Sequence, residues 1–150
     1  MGEIKSALEI ALEKTENVKG DKSLIEASEN KKTGQRIASR FLEEPGNKEN
    51  DIVKNLKSYT GKQQKQVKDG IFETLLNNIS LPQDSLDEDR LRTIEKGMHA
   101  IVQDKRYVSS IFQQIHQFFN QYLENRNQVR EHLKSQFAQK LQQKEIGRAH

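Results

Sequence analysis

The C-terminal third of the chain contains a stretch, from about Asp104 to Gln143, that has neither glycine nor proline. Because these two residues most often end helices, their absence predicts one long α-helix. About 38 helical residues would extend roughly 57 Å. A compact domain of this size has a diameter of only about 40 Å. The helix should therefore project beyond its own bundle, unless the whole molecule is elongated.

The first half of this helix has a wide apolar face. At ~100° per residue, its apolar side chains fall within an arc of about 160°. One neighbouring helix cannot cover so wide an arc, so we expect two. In the segment "QQIHQFFNQYL", Phe118 and Phe119 should insert into different grooves of one core. The side chains of the arc are Tyr107, Val108, Ile111, Phe112, Ile115, Phe118, Phe119, Tyr122 and Leu123.

The second half of the helix carries a mixed face. Four apolar residues recur at intervals of four, basic residues lie between them on the same side, and the opposite side is neutral and polar. Residues 124–145 are therefore predicted to form the protruding part of the helix, and this face is the candidate partner-binding site. Its residues are Arg126, Val129, Arg130, Leu133, Lys134, Phe137, Lys140 and Leu141.

The rest of the chain is also predicted to be helical, within a single domain spanning 1–150. Only 33% of residues are hydrophobic, and no segment alternates over strand length. We therefore expect an elongated all-α bundle of four to five amphipathic helices. A first helix should fade near Gly20, and residues 19–36 read as a solvated helix or a mobile linker. Gly61 is a candidate break in the third helix, and Ser85 and Glu88 fit a capping box at the start of the next one.

The formal charge of +3 is distributed unevenly. Residues 101–150 carry eight basic and four acidic side chains, whereas the preceding hundred residues carry a net charge of −1. The basic excess therefore belongs to the segment that contains the mixed face.

Three interpretations of the mixed face compete. It can be a coiled-coil or bundle seam, in which the aliphatic parts of the Lys and Arg side chains cover the apolar positions. It can be an exposed docking face for an acidic or apolar protein. It can also attract nucleic acid or an anionic membrane, although five basic residues over five turns and a modest total charge argue against this third interpretation.

The sequence offers little that predicts catalysis. There is no cysteine, no phosphate-binding glycine loop and no H-E-x-x-H zinc motif. His116 and His132 lie about 160° apart on one helix, so they cannot share a metal. Glu95 and His99 form only a common i, i+4 pair. We therefore predict a non-enzymatic protein with no cofactor and no metal, and a hydrolase or transferase is a distant alternative.

No apolar run approaches the ~20 residues that a membrane-spanning helix needs. The N-terminal segment also lacks the apolar core of a signal peptide. Together with the absence of cysteine, these features predict a soluble, cytoplasmic protein.

Two segments, "MGEIKSALEIALEKT" at the N-terminus and "LLNNISLP" at Leu75–Pro82, resemble a group of uncharacterised bacterial proteins. The resemblance extends over most of the chain. It implies a bacterial, cytoplasmic, helical protein. It brings no known activity and no functional residue.

These observations together predict a protein–protein interaction module, such as an adaptor, a scaffold or a chaperone-like binder. The mixed face of the C-terminal helix would bind a protein partner or a second copy of the chain. The alternative is a nucleic-acid-binding protein that uses the same basic face.

Overall fold

The computed structural model describes the backbone of residues 6–149 and the side chains of residues 6–144. Residues 1–5, the beginning of the "MGEIKSALEIALEKT" segment, lie outside the described residues. Five α-helices are present, and the described residues contain no strand, which confirms the all-α prediction. They are α1 (Ala7–Glu43), α2 (Ile52–Leu56), α3 (Gly61–Asn77), α4 (Glu88–Ile101) and α5 (Lys105–Ala149), and one 3-10 turn (Lys48–Asn50) precedes α2.

Helix α1 is continuous, so the predicted end near Gly20 is wrong. The helix starts with a capping box, in which the Ser6 hydroxyl accepts from the Glu9 amide and the Glu9 carboxylate accepts from the Ser6 amide. Gly20 lies inside it, and one exposed glycine costs a helix only about 1 kcal/mol relative to alanine. Residues 19–36 were expected to form either a solvated helix or a mobile linker, and in the structure they are helical.

Helices α1 and α3 cross in close contact at two glycines. A Cβ on Gly34 would lie 2.0 Å from the Val67 carbonyl oxygen, and a Cβ on Gly70 would lie 2.0 Å from the Lys31 carbonyl oxygen. The two backbones therefore approach to a distance that only glycine allows.

Polar contacts flank this crossing and define its direction. Asn30 bonds to Gln66 and Gln63 near the start of α3, and Lys31 pairs with Glu73 at 2.8 Å further along it. The Glu73 carboxylate, as a hydrogen-bond acceptor and a negative charge, raises the pKa of Lys31 above its ordinary value. Residue numbers increase in the same direction along both helices through these contacts, so α1 and α3 run parallel.

Residues 57–60 separate α2 from α3, and Gly61 is the first residue of α3. Its φ of +57° lies in the left-handed region that favours glycine. The predicted break in the third helix is therefore present, and Gly61 lies at its C-terminal end as the first residue of α3.

Helix α4 begins differently from the prediction. Its N-cap is Asp87, whose carboxylate accepts from the Arg90 amide, and the capping box from Ser85 to Glu88 is therefore wrong. An Asp two residues later supplies an equally good acceptor and a negative charge at the positive helix end. The Arg90 guanidinium donates to Asn78 at 2.6 Å, and Gly97 lies against Leu75, so α4 runs antiparallel to α3.

Helix α5 returns along α4. Ser109 lies 3.4 Å from His99 near the end of α4, whereas Phe119 lines a cleft with Leu91 and Ile94 near its beginning. Helices α1, α3 and α5 therefore point the same way. The long C-terminal helix predicted from about 104 to 143 is confirmed, and it continues to Ala149.

The wide apolar arc of α5 is covered on one side only, and the expectation that two helices cover it is wrong. Phe119 is 7% exposed, but Phe118 is 58% exposed, so the two rings do not enter different grooves of one core. Among the described residues, α4 is the helix whose backbone approaches α5 closely. The apolar core consists of Ile37, Ala38, Phe41, Leu42, Ile52, Leu56, Val67, Ile71, Leu75, Leu91, Ile94, Met98, Val108, Phe112 and Phe119.

The glycine crossing yields a first prediction. Gly34→Ala should destabilise the protein by about 1–3 kcal/mol, because the added methyl group meets backbone atoms that cannot move independently. Gly20→Ala is the control, because a Cβ there meets nothing within 4 Å, and it should stabilise the helix by up to about 1 kcal/mol. Urea unfolding monitored by circular dichroism measures both. Equal stability of the two variants would contradict the close approach.

The adjacent phenylalanines yield a second prediction. Phe119→Ala should lower the free energy of unfolding by about 3–5 kcal/mol, because a large core side chain is lost. Phe118→Ala should change it by less than about 0.5 kcal/mol, because an exposed ring is removed. Thermal unfolding of both variants tests the difference. A comparable loss of stability in both would show that Phe118 also belongs to the core.

Candidate interaction surface

The eight candidate partner-binding residues lie along one side of α5, where it leaves the bundle. Every side chain from 127 to 144 is exposed, and Arg126 is the last half-buried one. Phe137 is 65% exposed and Leu141 is 62% exposed, which is unusual for such large apolar side chains. We call the eight residues the α5 strip and residues 127–144 the α5 arm.

The loop between α3 and α4 holds the base of the α5 strip. The Arg126 guanidinium donates to the carbonyl oxygen of Gln83, and Arg130 lies 3.9 Å from the Asp84 carboxylate. These two arginines, which belong to the predicted partner-binding site, therefore also contact the loop between α3 and α4 where α5 leaves the bundle. Lys134 pairs with Glu131 at 3.7 Å on its own helix.

The α5 strip forms a shallow surface rather than a pocket. Val129, Leu133, Phe137 and Leu141 line it together with Ala138 and the basic residues up to Lys134. Lys140 belongs to the α5 strip but does not line this shallow surface. Because all these side chains belong to one helix, nothing encloses the opposite side, and the surface suits a helix or another flat partner better than a small molecule.

A second uncovered apolar surface was not predicted from the sequence. It is a groove of about 250 Å³ between α3 and the first turns of α5, with Phe72 45% and Tyr107 60% exposed. The sequence feature that indicates this groove is the apolar arc of α5, which is too wide for one neighbouring helix to cover. The groove is lined by Phe72, Leu76, Ile79, Met98, Val102, Tyr107, Val108, Ile111, Phe112 and Ile115.

A third uncovered surface runs along α1. All side chains of residues 6–26, which we call the α1 arm, are exposed. Four of its apolar residues, Leu8, Ala11, Val18 and Ile25, lie on one side at positions that fit a spacing of three and four residues, which is typical of a coiled-coil seam. The seam also contains Thr15, whose hydroxyl donates to the Ala11 carbonyl oxygen, and one lysine. We call this set the α1 seam, and it comprises Leu8, Ala11, Thr15, Val18, Lys22 and Ile25.

The two arms leave the bundle at opposite ends. The α1 arm precedes Asn30, which bonds to Gln63 at the start of α3. The α5 arm follows Arg126, which bonds to Gln83 just beyond the end of α3. Within residues 6–149, no close backbone contact joins α1 to α5.

Among the described side chains, one cluster resembles a catalytic set: Glu95, His99 and Ser109. The Ser109 hydroxyl and the Glu95 carboxylate lie 3.4 and 3.7 Å from the same histidine nitrogen, Nε2. A serine–histidine–carboxylate relay needs its two partners on different ring nitrogens. This cluster therefore lacks the geometry of a relay, and the buried Nδ1 has no partner.

Two further properties concern the described part of the chain alone. It contains no group of three or more histidine, aspartate or glutamate side chains arranged to hold a metal ion. None of its helices has an apolar stretch long enough to cross a membrane.

The chain belongs to a family described as "Family of unknown function (DUF6657)", which matches residues 53–149. The match includes the "LLNNISLP" segment and all of α3, α4 and α5. It leaves out α1, including the N-terminal "MGEIKSALEIALEKT" segment. No curated protein and no solved structure matches the chain.

The exposure of the α5 arm leads to a prediction about its local stability. Isolated helices of this length are marginal in water, so amides of residues 131–144 should exchange with deuterium at least about a hundredfold faster than those of 108–119. Hydrogen-exchange mass spectrometry of a dilute sample measures this ratio. Equal protection along α5 in the monomer would mean that the arm is covered within its own chain.

Proposed function

We propose that this protein is a non-enzymatic protein–protein interaction module that binds its partner through the α5 strip. The observation that carries the proposal is the exposure of Val129, Leu133, Phe137 and Leu141 in one row at 46–65%. Soluble proteins rarely leave a contiguous row of large apolar side chains uncovered, and such rows typically mark binding sites.

The energetics support a protein partner. Burial of one such side chain stabilises a contact by about 1.5–3 kcal/mol, so four in a row supply a substantial part of a binding free energy. The basic residues beside them favour a partner with negative charge and speed up its encounter. A helix laid along the strip would contact the apolar row and the basic flank at once.

A nucleic-acid-binding function is the alternative, and two observations make it the weaker proposal. Arg126 and Arg130 already bond to the loop at residues 83 and 84, and Lys134 pairs with Glu131. Fewer positive charges are therefore free for phosphates than the sequence suggests. A row of aliphatic side chains also contributes little to phosphate binding, which depends on charge and salt.

We place this module in a bacterial cytoplasm. The resemblance of its two sequence segments to bacterial proteins supports the source, and a cysteine-free chain is compatible with a reducing compartment.

Site-specific photo-crosslinking in living cells tests the proposed function. A photoreactive phenylalanine analogue at Leu133, in the middle of the α5 strip, should give adducts that a protease removes and a nuclease does not. The same analogue at Ser135 is the control, because this residue lies roughly 160° around the helix from Phe137. It should give few adducts.

The competing outcomes are distinct. Adducts that a nuclease removes would favour nucleic acid, and binding of purified protein to DNA or RNA should then fall by orders of magnitude between 50 and 200 mM salt. Equal protein adducts from Leu133 and Ser135 would contradict the proposed surface, because they would reflect collision rather than docking.

A further inference from the structure

We propose that the partner of the α5 strip is the α1 seam of a second copy of this chain, in a head-to-tail contact. This inference rests on the proposed function and names the partner of the same surface. The seam and the strip are both uncovered and helical, and they leave the bundle at opposite ends.

The two surfaces match in length and kind. The α1 seam from Leu8 to Ile25 extends about 26 Å, and the α5 strip from Arg126 to Leu141 extends about 22 Å, at 1.5 Å per residue. Each presents exposed large apolar side chains on one side, such as Val18 at 65% and Phe137 at 65% exposure. Two helices with such rows can bury them against each other along their whole length.

The charges of the two arms select this pairing over its alternatives. The α1 arm carries five acidic and three basic side chains, a net charge of −2, whereas the α5 arm carries one acidic and four basic side chains, a net charge of +3. Two α1 arms or two α5 arms would bring like charges together. An α1 arm against an α5 arm brings opposite charges together, so electrostatics favours the mixed contact.

One chain cannot make this contact with itself. The α1 arm projects from the end where α3 begins, and the α5 arm projects from the end where α3 finishes, about 25 Å away along a helix of 17 residues. The arms also point in opposite directions. A second copy placed end to end brings its α1 arm beside the α5 arm of the first.

Such a contact joins two different surfaces, so each of the two bound copies still has one free arm. These two free arms lie at opposite ends of the pair. Heterologous contacts of this kind continue into open chains or close into rings. The assembly should therefore grow with protein concentration beyond the dimer.

Complementation between two blocked variants tests the inference. Wild-type protein should show an average mass above that of a dimer in light scattering at high concentration. Val18→Glu and Phe137→Glu, which each place a charge on one of the two surfaces, should each be monomeric. A 1:1 mixture should form a heterodimer and stop there, because one intact seam meets one intact strip and the other two surfaces are blocked.

Matched controls separate docking from folding. Leu24→Glu places the same charge on the side of α1 away from the seam, and Ser135→Glu does so on the back of α5. Both should assemble like wild type, and each blocked variant should weaken self-association at least about tenfold. All four positions are exposed, so circular dichroism should report an unchanged fold.

The outcomes separate this inference from the proposed function. A monomeric wild type, a Val18→Glu variant that assembles normally, or a mixture that stays monomeric would each overturn the head-to-tail contact. Protein adducts at Leu133 in cells would still support the α5 strip in all three cases. Adducts at Leu133 that link two copies of this chain, through the α1 arm, would support both.

Discussion

The close approach of α1 and α3 at Gly34 and Gly70 is the contact on which the rest of the structure depends. Each glycine presents bare backbone to the other helix, and any Cβ there would overlap a carbonyl oxygen. The contact fixes which part of α1 belongs to the bundle, namely the part from about Asn30 onward. It also aligns α1 parallel to α3, so the first five turns of α1 extend beyond the start of α3, where their side chains are exposed.

The chain has too few apolar residues to cover both of its long helices. Only 33% of its residues are hydrophobic, and the bundle places most of its core between α1, α3 and α4. The core receives only Val108, Phe112 and Phe119 from α5. Of the other large apolar residues of α5, Tyr107, Ile111 and Ile115 line an open groove, and Val129, Leu133, Phe137 and Leu141 are exposed on the arm. Uncovered apolar surface is thus a consequence of helix length relative to bundle size.

The sequence predicted the helical class and the long α5 because these depend on local rules. Glycine and proline mark helix ends, and apolar residues recur with a period of 3.6 residues. It failed at Gly20, where a single glycine looked like a helix end but is tolerated within an exposed helix. It also failed at Ser85, since Asp87 caps α4 equally well. It failed at Phe118, because periodicity shows which residues share a face but not how many neighbours arrive to cover that face.

The candidate site was predicted in the same way and with the same limit. The spacing of Val129, Leu133, Phe137 and Leu141 indicated one face, and the structure has them exposed along one side of α5. The bonds from Arg126 and Arg130 to the loop after α3 could not be predicted, because they join residues more than forty positions apart. The glycine crossing was missed for the same reason.

The composition of the two arms indicates that the proposed contact between copies would be reversible. The α1 seam contains Thr15 and Lys22 where a permanent coiled coil would have aliphatic residues, and such polar positions set the register at a cost in stability. Each arm is also a marginal helix when alone, so part of the contact free energy offsets the ordering of both arms. Association and helix stability are therefore coupled. Conditions that destabilise the helical arms, such as higher temperature, should dissociate the proposed assembly before the bundle around Gly34 and Gly70 unfolds.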